Sequence, residues 1–503
     1  MKARMMNNPL YDTMFAPHAE KSTPFLLLPE GGIITHADFV HRAAQLAHAL
    51  VAFGVSTGDR VAVQVEKCPD MLALYAACAQ LGAIFLPLNT AYTAAEVAYF
   101  VSDSRAALLV GDPARADELA TVAQDSGAAF ASLNAAGGSL SDSANAQAET
   151  FQTVARSEDD LAAFLYTSGT TGRSKGAMLS QKNLISNAAT LTKLWQFSRE
   201  DVLLHALPIF HTHGLFVATN VMLMAGGPMV FMPKLDIDQL IAWMPRATSM
   251  MGVPTFYTRL LDDARFDRSL TAQMRLFISG SAPLLADTHI AFEQRTGHRI
   301  LERYGMTETN MNTSNPYEGD RRAGTVGLPL PDVELRVADA DGMELPRGET
   351  GVVEVRGPNV FQGYWNMPEK TAEDMRSDGF FITGDLGVQD ADGYVTIVGR
   401  GKDLIISGGY NIYPKELELV LDAQKGVLES AVIGVPHADL GEVPLAVLVP
   451  EADAQIDLDA IKAAAALALA RFKQPRDYRV VDALPRNTMG KVQKVTLRAE
   501  FAE

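Results

Sequence analysis

The N-terminal part of the chain alternates between two hydrophobic periods. Residues 37–55 (ADFVHRAAQLAHALVAFGV) place apolar side chains every three to four positions, which predicts an amphipathic helix. Residues 59–65 (DRVAVQV) form the short apolar run that is typical of a strand. The same order recurs with a helical segment at 71–83 and a strand-like segment at 84–89. Strands that alternate with helices of this length predict a parallel sheet covered by helices.

The pattern changes twice further along the chain. A second α/β stretch spans about residues 160–325, and 326–399 then consists of short β-rich segments such as VELRVAD, GVVEVRG and GYVTIVG. Such segments, separated by Gly, Pro and Asp, are typical of a small antiparallel barrel. The residues after GRGKD (399–403) again mix helix and strand and suffice for a separate small domain. Residues 133–150 are small and polar, and we expect a surface loop there.

These changes predict an α/β fold class with a defined domain order. We expect a large N-terminal body of two α/β subdomains at 1–399, whose β-rich barrel subdomain occupies about 326–399. A short connection follows at 400–403. The remaining residues, 404–503, are expected to form a small α+β C-terminal domain. No internal repeat is apparent in the sequence.

Composition and charge exclude several classes of function. The 503 residues are 48% hydrophobic and 20% charged, so the chain can bury a large core. Lys and Arg number 43 against 60 Asp and Glu, a formal charge of −17, and no basic run interrupts this excess. Nucleic acid is therefore an unexpected partner, because binding it requires clustered positive charge.

The cysteines and the apolar runs indicate the compartment. Cys68 and Cys78 are the two cysteines of the sequence. Two cysteines are too few for a disulfide framework or a zinc cluster, and so low a number fits a reducing cytoplasm. The first twenty residues lack the apolar core of a signal peptide. The run AAAALALA at 463–470 is far shorter than the ~20 residues of a membrane span and predicts a packed helix. We expect a cytoplasmic protein that does not bind membranes.

The segment LYTSGTTGRSKGAMLS at 165–180 carries the strongest chemical signal. Its glycines let the backbone approach a phosphate, and its hydroxyl side chains can donate to phosphate oxygens. Most Gly/Ser/Thr stretches are flexible surface loops, but the density of donors directly after the apolar AAFLY favours phosphate binding. Lys175 is followed by glycine and not by Ser or Thr, so the segment is not the phosphate loop of simple NTPases.

This segment resembles the signature loop of the AMP-forming acyl-CoA synthetases. The resemblance continues, in the family's order and spacing, through ERYGMTET (302–309), TGD (383–385), GRGKDLIISGGYNIYP (399–414) and PRNTMGK (485–491). It thus covers nearly the whole chain, and Ser174 departs from it where many relatives have proline. Three further stretches, HALPIFHTHGLFVATN, GVPTFYTRLL and ERYGMTETNMNTSNP, resemble the malonyl-CoA synthetases within this family.

The resemblance implies ATP-dependent ligation of malonate to coenzyme A. Malonyl-adenylate would be the intermediate, and malonyl-CoA, AMP and pyrophosphate the products, with Mg²⁺ as the metal. A carboxylate is already ionised at neutral pH, since its reference pKa is about 4, so its attack needs no general base. Cations must instead offset its repulsion by the α-phosphate of ATP.

The resemblance also implies the residues that hold the nucleotide. Lys491 matches the catalytic lysine of adenylation, and Thr307 matches a residue that touches the α-phosphate. Glu308 resembles the ligand of Mg²⁺. Asp385 matches the carboxylate that accepts from the ribose hydroxyls, and Arg400 resembles its partner. The other nucleotide-binding positions implied are Thr167, Ser168, Gly169, Thr170, Thr171, Gly172, Lys175, Ser281, Ala282, Pro283, Tyr304, Gly305 and Met306.

The C-terminal domain would be mobile by the same resemblance. Lys402 matches the hinge position, about which this domain would rotate between adenylation and thioester formation. Gly408, Gly409 and Tyr410 would then line the tunnel for the pantetheine arm of CoA. Lys491 is also a candidate regulatory site, because a lysine acyltransferase that modified it would remove its charge.

Selection of a dicarboxylic acid requires a cation in the acyl pocket, because a second carboxylate buried without a partner would cost several kcal/mol. The sequence candidate is Arg259. Pro254 is well placed to begin a helix, which would put Thr255 and Arg259 one turn apart on the same face. A solvated helix arginine is an equal alternative from the residues alone, and the resemblance favours the binding role.

Other residues near these motifs are candidates for contact with the acid. His211 matches a family histidine that contacts the substrate carboxylate, whereas His213 is expected only to pack. The two would share one face if they lay on a strand. Ser281 is expected to border the acid as well as the nucleotide. Met306 would shorten the pocket, although simple core packing also explains a methionine there.

Three alternative functions remain open. The chain could ligate methylmalonate or another short-chain carboxylate, including a monocarboxylate. An adenylating domain that loads a carrier protein is disfavoured, since no carrier-like segment with a serine follows Lys491. A nucleotide-binding protein without catalysis is disfavoured by the presence of Lys491, Glu308 and Asp385.

Overall fold

The computed structural model describes most of the chain, in ranges that are 7–167, 174–407, 410–437, 440–452, 454–469, 471, 473–487 and 490–501. The side chains of residues 410, 411 and 441 are excepted. The chain divides into two compact units. The first unit comprises Met1–Glu334 and Arg356–Met375, and the second comprises Leu335–Val355 and Arg376–Glu503.

The first unit alternates helices and strands. Its α-helices are α1 Pro9–Met14, α2 His36–Ala52, α3 Pro69–Leu81, α4 Ala94–Ser104, α5 Ala116–Asp125, α6 Ser139–Asn145, α7 Gln181–Leu194, α8 Asn220–Ala225, α9 Ile237–Trp243, α10 Pro254–Leu261, α11 Ala286–Thr296 and α12 Pro368–Glu373. Its strands are β1 Pro24–Leu27, β2 Ile33–Thr35, β3 Arg60–Gln64, β4 Ile84–Pro87, β5 Leu108–Gly111, β6 Ala129–Ser132, β7 Leu161–Thr167, β8 Lys175–Ser180, β9 Leu203–His205, β10 Met229–Phe231, β11 Ser249–Gly252, β12 Leu276–Ser279, β13 Leu301–Met306, β14 Asn310–Ser314 and β15 Leu328–Pro329. A π-helix follows β9 at His213–Thr219.

Two sheets form the first unit. One has six strands in the order β6-β5-β3-β4-β7-β8, parallel except for the antiparallel β7–β8 pair. The other has nine strands in the order β15-β14-β13-β12-β11-β9-β10-β1-β2, and its central pairs, from β13 to β1, are parallel. The predicted parallel, helix-covered sheet is thus confirmed.

Local sequence explains where the early helices begin and end. α2 begins after a capping box in which Thr35 and Asp38 each bond the other's backbone. α3 begins with Pro69 in its first turn and ends at Gly82, whose φ of 74° is in the left-handed region that suits glycine. Both helices and the strands β3 and β4 lie where hydrophobic periodicity predicted them.

The prediction of a loop over residues 133–150 is wrong in part. This segment contains α6, which packs against α2. Leu140 and Ala144, spaced four residues apart, are fully buried. Two apolar side chains on one face are enough to hold this short helix in place, because the neighbouring helix α2 covers them. The composition of the segment, mostly Ser and Ala, makes so short an apolar face difficult to detect in the sequence.

The second unit contains two smaller sheets. Its strands are β16 Glu334–Ala338, β17 Thr350–Arg356, β18 Phe381–Gln389, β19 Val395–Arg400, β20 Ile405–Ser407, β21 Tyr410–Ile412, β22 Val427–His437, β23 Gly441–Pro450 and β24 Asp477–Val480, and its helices are α13 Pro414–Asp422, α14 Leu458–Ala468 and α15 Lys494–Phe501. The segment predicted as a small barrel forms a four-stranded sheet in the order β16-β17-β18-β19. β20 to β24 form the other sheet.

Helices of the second unit pack on its larger sheet. Leu417 and Leu421 of α13 and Ile461 of α14 are buried against Val432 and Leu448. The run AAAALALA falls largely within α14, which confirms the predicted helix. Across the described residues, no helix is both long and apolar enough to cross a bilayer.

Candidate active site

The candidate site of the first unit lies at the carboxyl ends of parallel strands in the nine-stranded sheet. His211 and His213 follow β9, Gly280 and Ser281 follow β12, and Arg303 lies within β13. Crevices at this end of a parallel sheet are the usual ligand sites of α/β folds. The backbone conformation of Ser281 supports this position for the site. Its φ is 73°, in the left-handed region, and strained conformations of this kind in non-glycine residues cluster at functional sites.

A tight turn between β13 and β14 presents Thr307 and Glu308. It requires glycine at position 305, because a Cβ there would lie 1.9 Å from the carbonyl oxygen of Asn310. Thr307 is half-buried, and Glu308 is buried. The Y-G-x-T-E motif therefore has a structural reason for its glycine and places two polar side chains together.

Glu308 belongs to a polar network that also contains the lysine of the Gly-rich segment. The Tyr364 hydroxyl donates to Glu308 Oε1 across 3.0 Å. Lys175 Nζ lies 4.0 Å from the centroid of the Tyr364 ring and 3.6 Å from Asp374 Oδ2. Burial and the nearby carboxylates raise the pKa of Tyr364, so the phenol stays a proton donor. Tyr364 and Asp374 thus orient groups that the sequence linked only by family resemblance.

The Gly-rich loop is described only at its two ends. Thr167 ends β7, Lys175 begins β8, and the two are paired across the antiparallel ladder. The predicted phosphate-binding positions between them lie outside the described residues, and these are Ser168, Gly169, Thr170, Thr171 and Gly172.

The two histidines lie in and after a loop and not on a strand. His211 is half-buried, and His213 begins the π-helix with its side chain buried. Burial, with the charge of Arg303, lowers the pKa of His211 to about 4 and that of His213 well below its usual value. Both rings are neutral at pH 7. His213 Nδ1 is 3.2 Å from Ser281 Oγ, and the described part of the chain offers its Nε2 no hydrogen-bond partner.

Arg303 is the unexpected member of this cluster. Its side chain is 3% exposed, and its Nε and Nη2 have no hydrogen-bond partner among the described residues. Burial lowers the pKa of Arg303 to about 9, with only the phenol of Tyr257 opposing, so the guanidinium remains charged at pH 7. A buried cation without a carboxylate is costly. Among the described residues none neutralises it, and the arrangement therefore suits an anionic ligand.

Arg259 lies elsewhere on the same unit. Pro254 occupies the first turn of α10, as predicted, but Arg259 is exposed. The buried face of this short helix carries Phe256, Tyr257 and Leu260, which leaves Arg259 directed away from the sheet. A role for Arg259 in acid binding stays a prediction.

In the second unit, Asp385 lies in a β-bulge that sets the position of its side chain. Three residues of β18, the Thr-Gly-Asp motif 383–385, oppose Val353 alone on β17. The Thr383 hydroxyl donates to the Val353 carbonyl across 2.7 Å and accepts from the Asp385 amide at 3.1 Å. Asp385 is buried and pairs with Arg400 of β19, whose Nε is 2.7 Å from Asp385 Oδ1. The two residues assigned to the ribose therefore form one ion pair.

Lys491 lies near this ion pair. It follows a turn in which its backbone N–H donates to Asn487 Oδ1 across 2.9 Å, and Gly490 has a φ of 75°. Burial, with the charges of Arg400 and Lys402, lowers the pKa of Lys491 to about 8, while the carboxylates of Asp385 and Asp403 act in the opposite direction. Residues far apart in sequence thus share one electrostatic environment within the second unit.

The residues assigned to the hinge and to the CoA tunnel follow β19 in the chain. Lys402 lies in a short turn, Gly401–Asp403, with an exposed side chain. Gly408 and Gly409 lie outside the described residues, and Tyr410 is described only as a backbone position of β21. The hinge and tunnel roles of these residues stay predictions.

The residues that could contact a metal are few. No group of three or more His, Cys, Asp or Glu side chains gathers as a metal site in the part of the chain that the structure describes. Glu308 is buried, next to Thr307 in the chain. One carboxylate suits Mg²⁺, which typically takes its other ligands from substrate phosphates and water.

Sequence reasoning missed Arg303, Tyr364 and Asp374. Arg303 lies inside the ERYGMTET motif and directly follows residues 300–302 (ILE). A charged side chain directly after this strand-like segment was a signal that could have identified it as a functional residue. Nothing in the sequence marked Tyr364, because its partner Glu308 is 56 residues away.

Two families match the chain. The family described as AMP-binding enzyme matches residues 16–365, and the family described as AMP-binding enzyme C-terminal domain matches residues 416–491. Together they account for both the Gly-rich segment and the segment that ends at Lys491.

Individual relatives act on different acids. Feruloyl-CoA synthase from Amycolatopsis is 36% identical over 475 residues, covering 94% of each chain, and malonate–CoA ligase from Arabidopsis thaliana is 35% identical over 484 residues, covering 89% of this chain and 78% of its own. The crystal structure of ATP-bound MatB from Rhodopseudomonas palustris is 55% identical, covers 99% of each chain and superposes with a TM-score of 0.97. Since the first two identities are nearly equal, they do not select the acid.

Proposed function

Because the chain belongs to the AMP-binding enzyme family, we propose that this AMP-forming acid–CoA ligase acts on malonate. ATP and CoA are its other substrates. The reaction forms malonyl-adenylate and pyrophosphate, and then malonyl-CoA and AMP. Methylmalonate is the second candidate acid, since it carries the same two carboxylates.

The observation that supports a dicarboxylic acid is the buried guanidinium of Arg303, whose Nε and Nη2 find no partner within the described ranges of the chain. The distal carboxylate of malonate would accept from Nε and Nη2, and a bidentate pair of this kind is both strong and directional. The neutral rings of His211 and His213 leave Arg303 as the cation of this cluster. A monocarboxylate of similar length would leave these two donors without partners.

The first half-reaction needs orientation and charge more than acid–base chemistry. An oxygen of the reacting carboxylate attacks the α-phosphorus of ATP, and the bond to the β-phosphate breaks as pyrophosphate leaves. Thr307 would donate to the α-phosphate, and Asp385 with Arg400 would hold the ribose. Lys491 would place its ammonium where negative charge concentrates in the transition state.

Glu308 would hold Mg²⁺ when the ion is bound with ATP. The ion would neutralise phosphate oxygens, and the Tyr364 hydroxyl would fix the carboxylate that holds it. Lys175 would add a point charge to the same phosphates.

In the second half-reaction the CoA thiolate attacks the carbonyl carbon of the adenylate, and the C–O bond to AMP breaks. The negative charge of the thiolate leaves with the AMP phosphate, and we expect Lys491 to have rotated out of the site before this step. We expect Gly408, Gly409 and Tyr410 to line the path of the pantetheine arm, with Lys402 as the hinge. Acylation of Lys491 by a lysine acyltransferase would silence the first half-reaction alone.

An isotope-exchange assay tests the choice of acid. Exchange of labelled pyrophosphate into ATP would be measured with malonate, methylmalonate, succinate, butyrate, acetate and ferulate. We expect rapid exchange with malonate and at least ~10-fold less with butyrate, because one lost charge-assisted contact costs about 1.5–3 kcal/mol. Butyrate or ferulate turnover equal to that of malonate would refute the proposal.

The charge of Lys491 predicts a pH dependence. With its pKa near 8, Lys491 is protonated below pH 8 and neutral above it. At saturating malonate, kcat/KM for ATP in the exchange reaction should therefore fall about tenfold per pH unit above pH 8, since this parameter reports the free enzyme. The control is Lys491→Arg, whose guanidinium stays charged. The residual activity of this variant should not show the decrease above pH 8. An identical decrease would mean that another group titrates.

A further inference from the structure

Gly280 lies directly after β12, on the side of the sheet where the acid is proposed to bind. Its backbone does not require glycine, because its φ is not in the left-handed region. A Cβ built at this position would lie 2.4 Å from both Cζ and Nη1 of Arg303 and 2.7 Å from its Nε. The guanidinium therefore occupies the space that a side chain at position 280 would take.

The Arg303 side chain has little freedom to yield. It is buried, and the fully buried Tyr257 ring lies close enough to affect its charge. The Tyr257 hydroxyl is itself held by the Ile278 carbonyl at 2.5 Å. Arg303 also acts electrostatically on both His211 and His213. Well-packed interiors relax poorly, so even one added methyl group would displace the guanidinium or its neighbours.

We propose that Gly280 is a positioning residue that sets the preference for a dicarboxylic acid by admitting the Arg303 guanidinium where the distal carboxylate would bind. The proposal rests on the proposed function. The absence of a side chain at position 280 lets the planar head of Arg303 lie against the backbone, with Nε and Nη2 left available to the distal carboxylate. A substitution at Gly280 would then act on acid selection through Arg303 and would leave the nucleotide untouched.

Gly252 supplies a matched control. It ends β11, pairs with Ser279 of β12, and its carbonyl accepts from the Gly280 amide at 3.3 Å. Its φ is also outside the left-handed region, but a Cβ there would meet the ring of Phe256 at 3.1 Å and not Arg303. Gly252→Ala therefore crowds the same edge of the sheet without touching the cation.

The experiment compares kcat/KM for malonate and for butyrate in Gly280→Ala, Gly252→Ala and Arg303→Met. We expect Gly280→Ala to lower the malonate-to-butyrate ratio at least ~10-fold, the effect of disturbing one charge-assisted contact, mainly through KM for malonate and with KM for ATP unchanged. Gly252→Ala should affect both acids alike. In the Arg303→Met background, Gly280→Ala should change the ratio less than about 2-fold, because residues that act through one another are non-additive.

Each contrary outcome has a separate meaning. A wild-type ratio in Gly280→Ala, while Arg303→Met loses malonate use, would overturn the role of Gly280 and leave the proposed function standing. Equal use of both acids by the wild-type enzyme would overturn both. If Gly280→Ala does not fold, the double variant Gly280→Ala/Arg303→Met should fold, because methionine at position 303 lacks the planar guanidinium that the new methyl group would meet. A double variant that also fails to fold, measured by its melting temperature, would show that Gly280 is needed for another reason.

Discussion

Lys491→Ala is expected to lower the rate of malonyl-adenylate formation about 10²–10³-fold, the loss typical for one preorganised charge donor. Thioester formation from supplied malonyl-adenylate should remain within about 2-fold of wild type, since the expected rotation about Lys402 would take Lys491 out of the site before the CoA thiolate displaces AMP. Pyrophosphate exchange measures the first step, and single-turnover release of AMP with CoA measures the second.

The control for this variant is Lys462→Ala. Lys462 is an exposed lysine of α14 in the same unit, and its replacement should leave both half-reactions unchanged. An equal loss of both steps in folded Lys491→Ala would show that Lys491 serves the whole site and not the adenylation step.

Arg303→Met is expected to reduce kcat/KM for malonate about 10²-fold or more. Methionine has a similar length but no charge, so the distal carboxylate would be buried without a partner, and breaking a buried ion pair costs about 3–5 kcal/mol. Butyrate should gain relative to malonate, because its apolar end now meets an apolar side chain. The measurement is the ratio of the two kcat/KM values, with KM for ATP and the melting temperature as checks on folding.

Arg259→Leu provides the comparison within the same unit. Because Arg259 is exposed, its charge is screened by solvent and salt, and its replacement should change the malonate-to-butyrate ratio less than about 2-fold. A loss of malonate preference in Arg259→Leu, with an unchanged ratio in Arg303→Met, would identify Arg259 as the selecting cation.

Local patterns in the sequence determined the elements and their order. Periods of about 3.6 and 2 residues reflect which side chains face a core, and capping residues such as Thr35 and Gly82 act on their own helices. The α/β alternation and the helix of Ala-rich residues at α14 could therefore be read directly. The ordered motifs from the Gly-rich segment to Lys491 likewise indicated an adenylate-forming enzyme.

Tertiary structure alone decided which charged side chains meet. Two arginines lay near the predicted acid site in the sequence, and neither spacing nor composition showed that α10 exposes Arg259 while β13 buries Arg303. The space for Arg303 depends on Gly280, which directly follows the neighbouring strand β12. The Tyr364–Glu308 bond joins residues 56 positions apart. Such contacts depend on how distant segments pack. Local hydrophobic periodicity shows which side chains are buried but does not identify the distant residues that they contact.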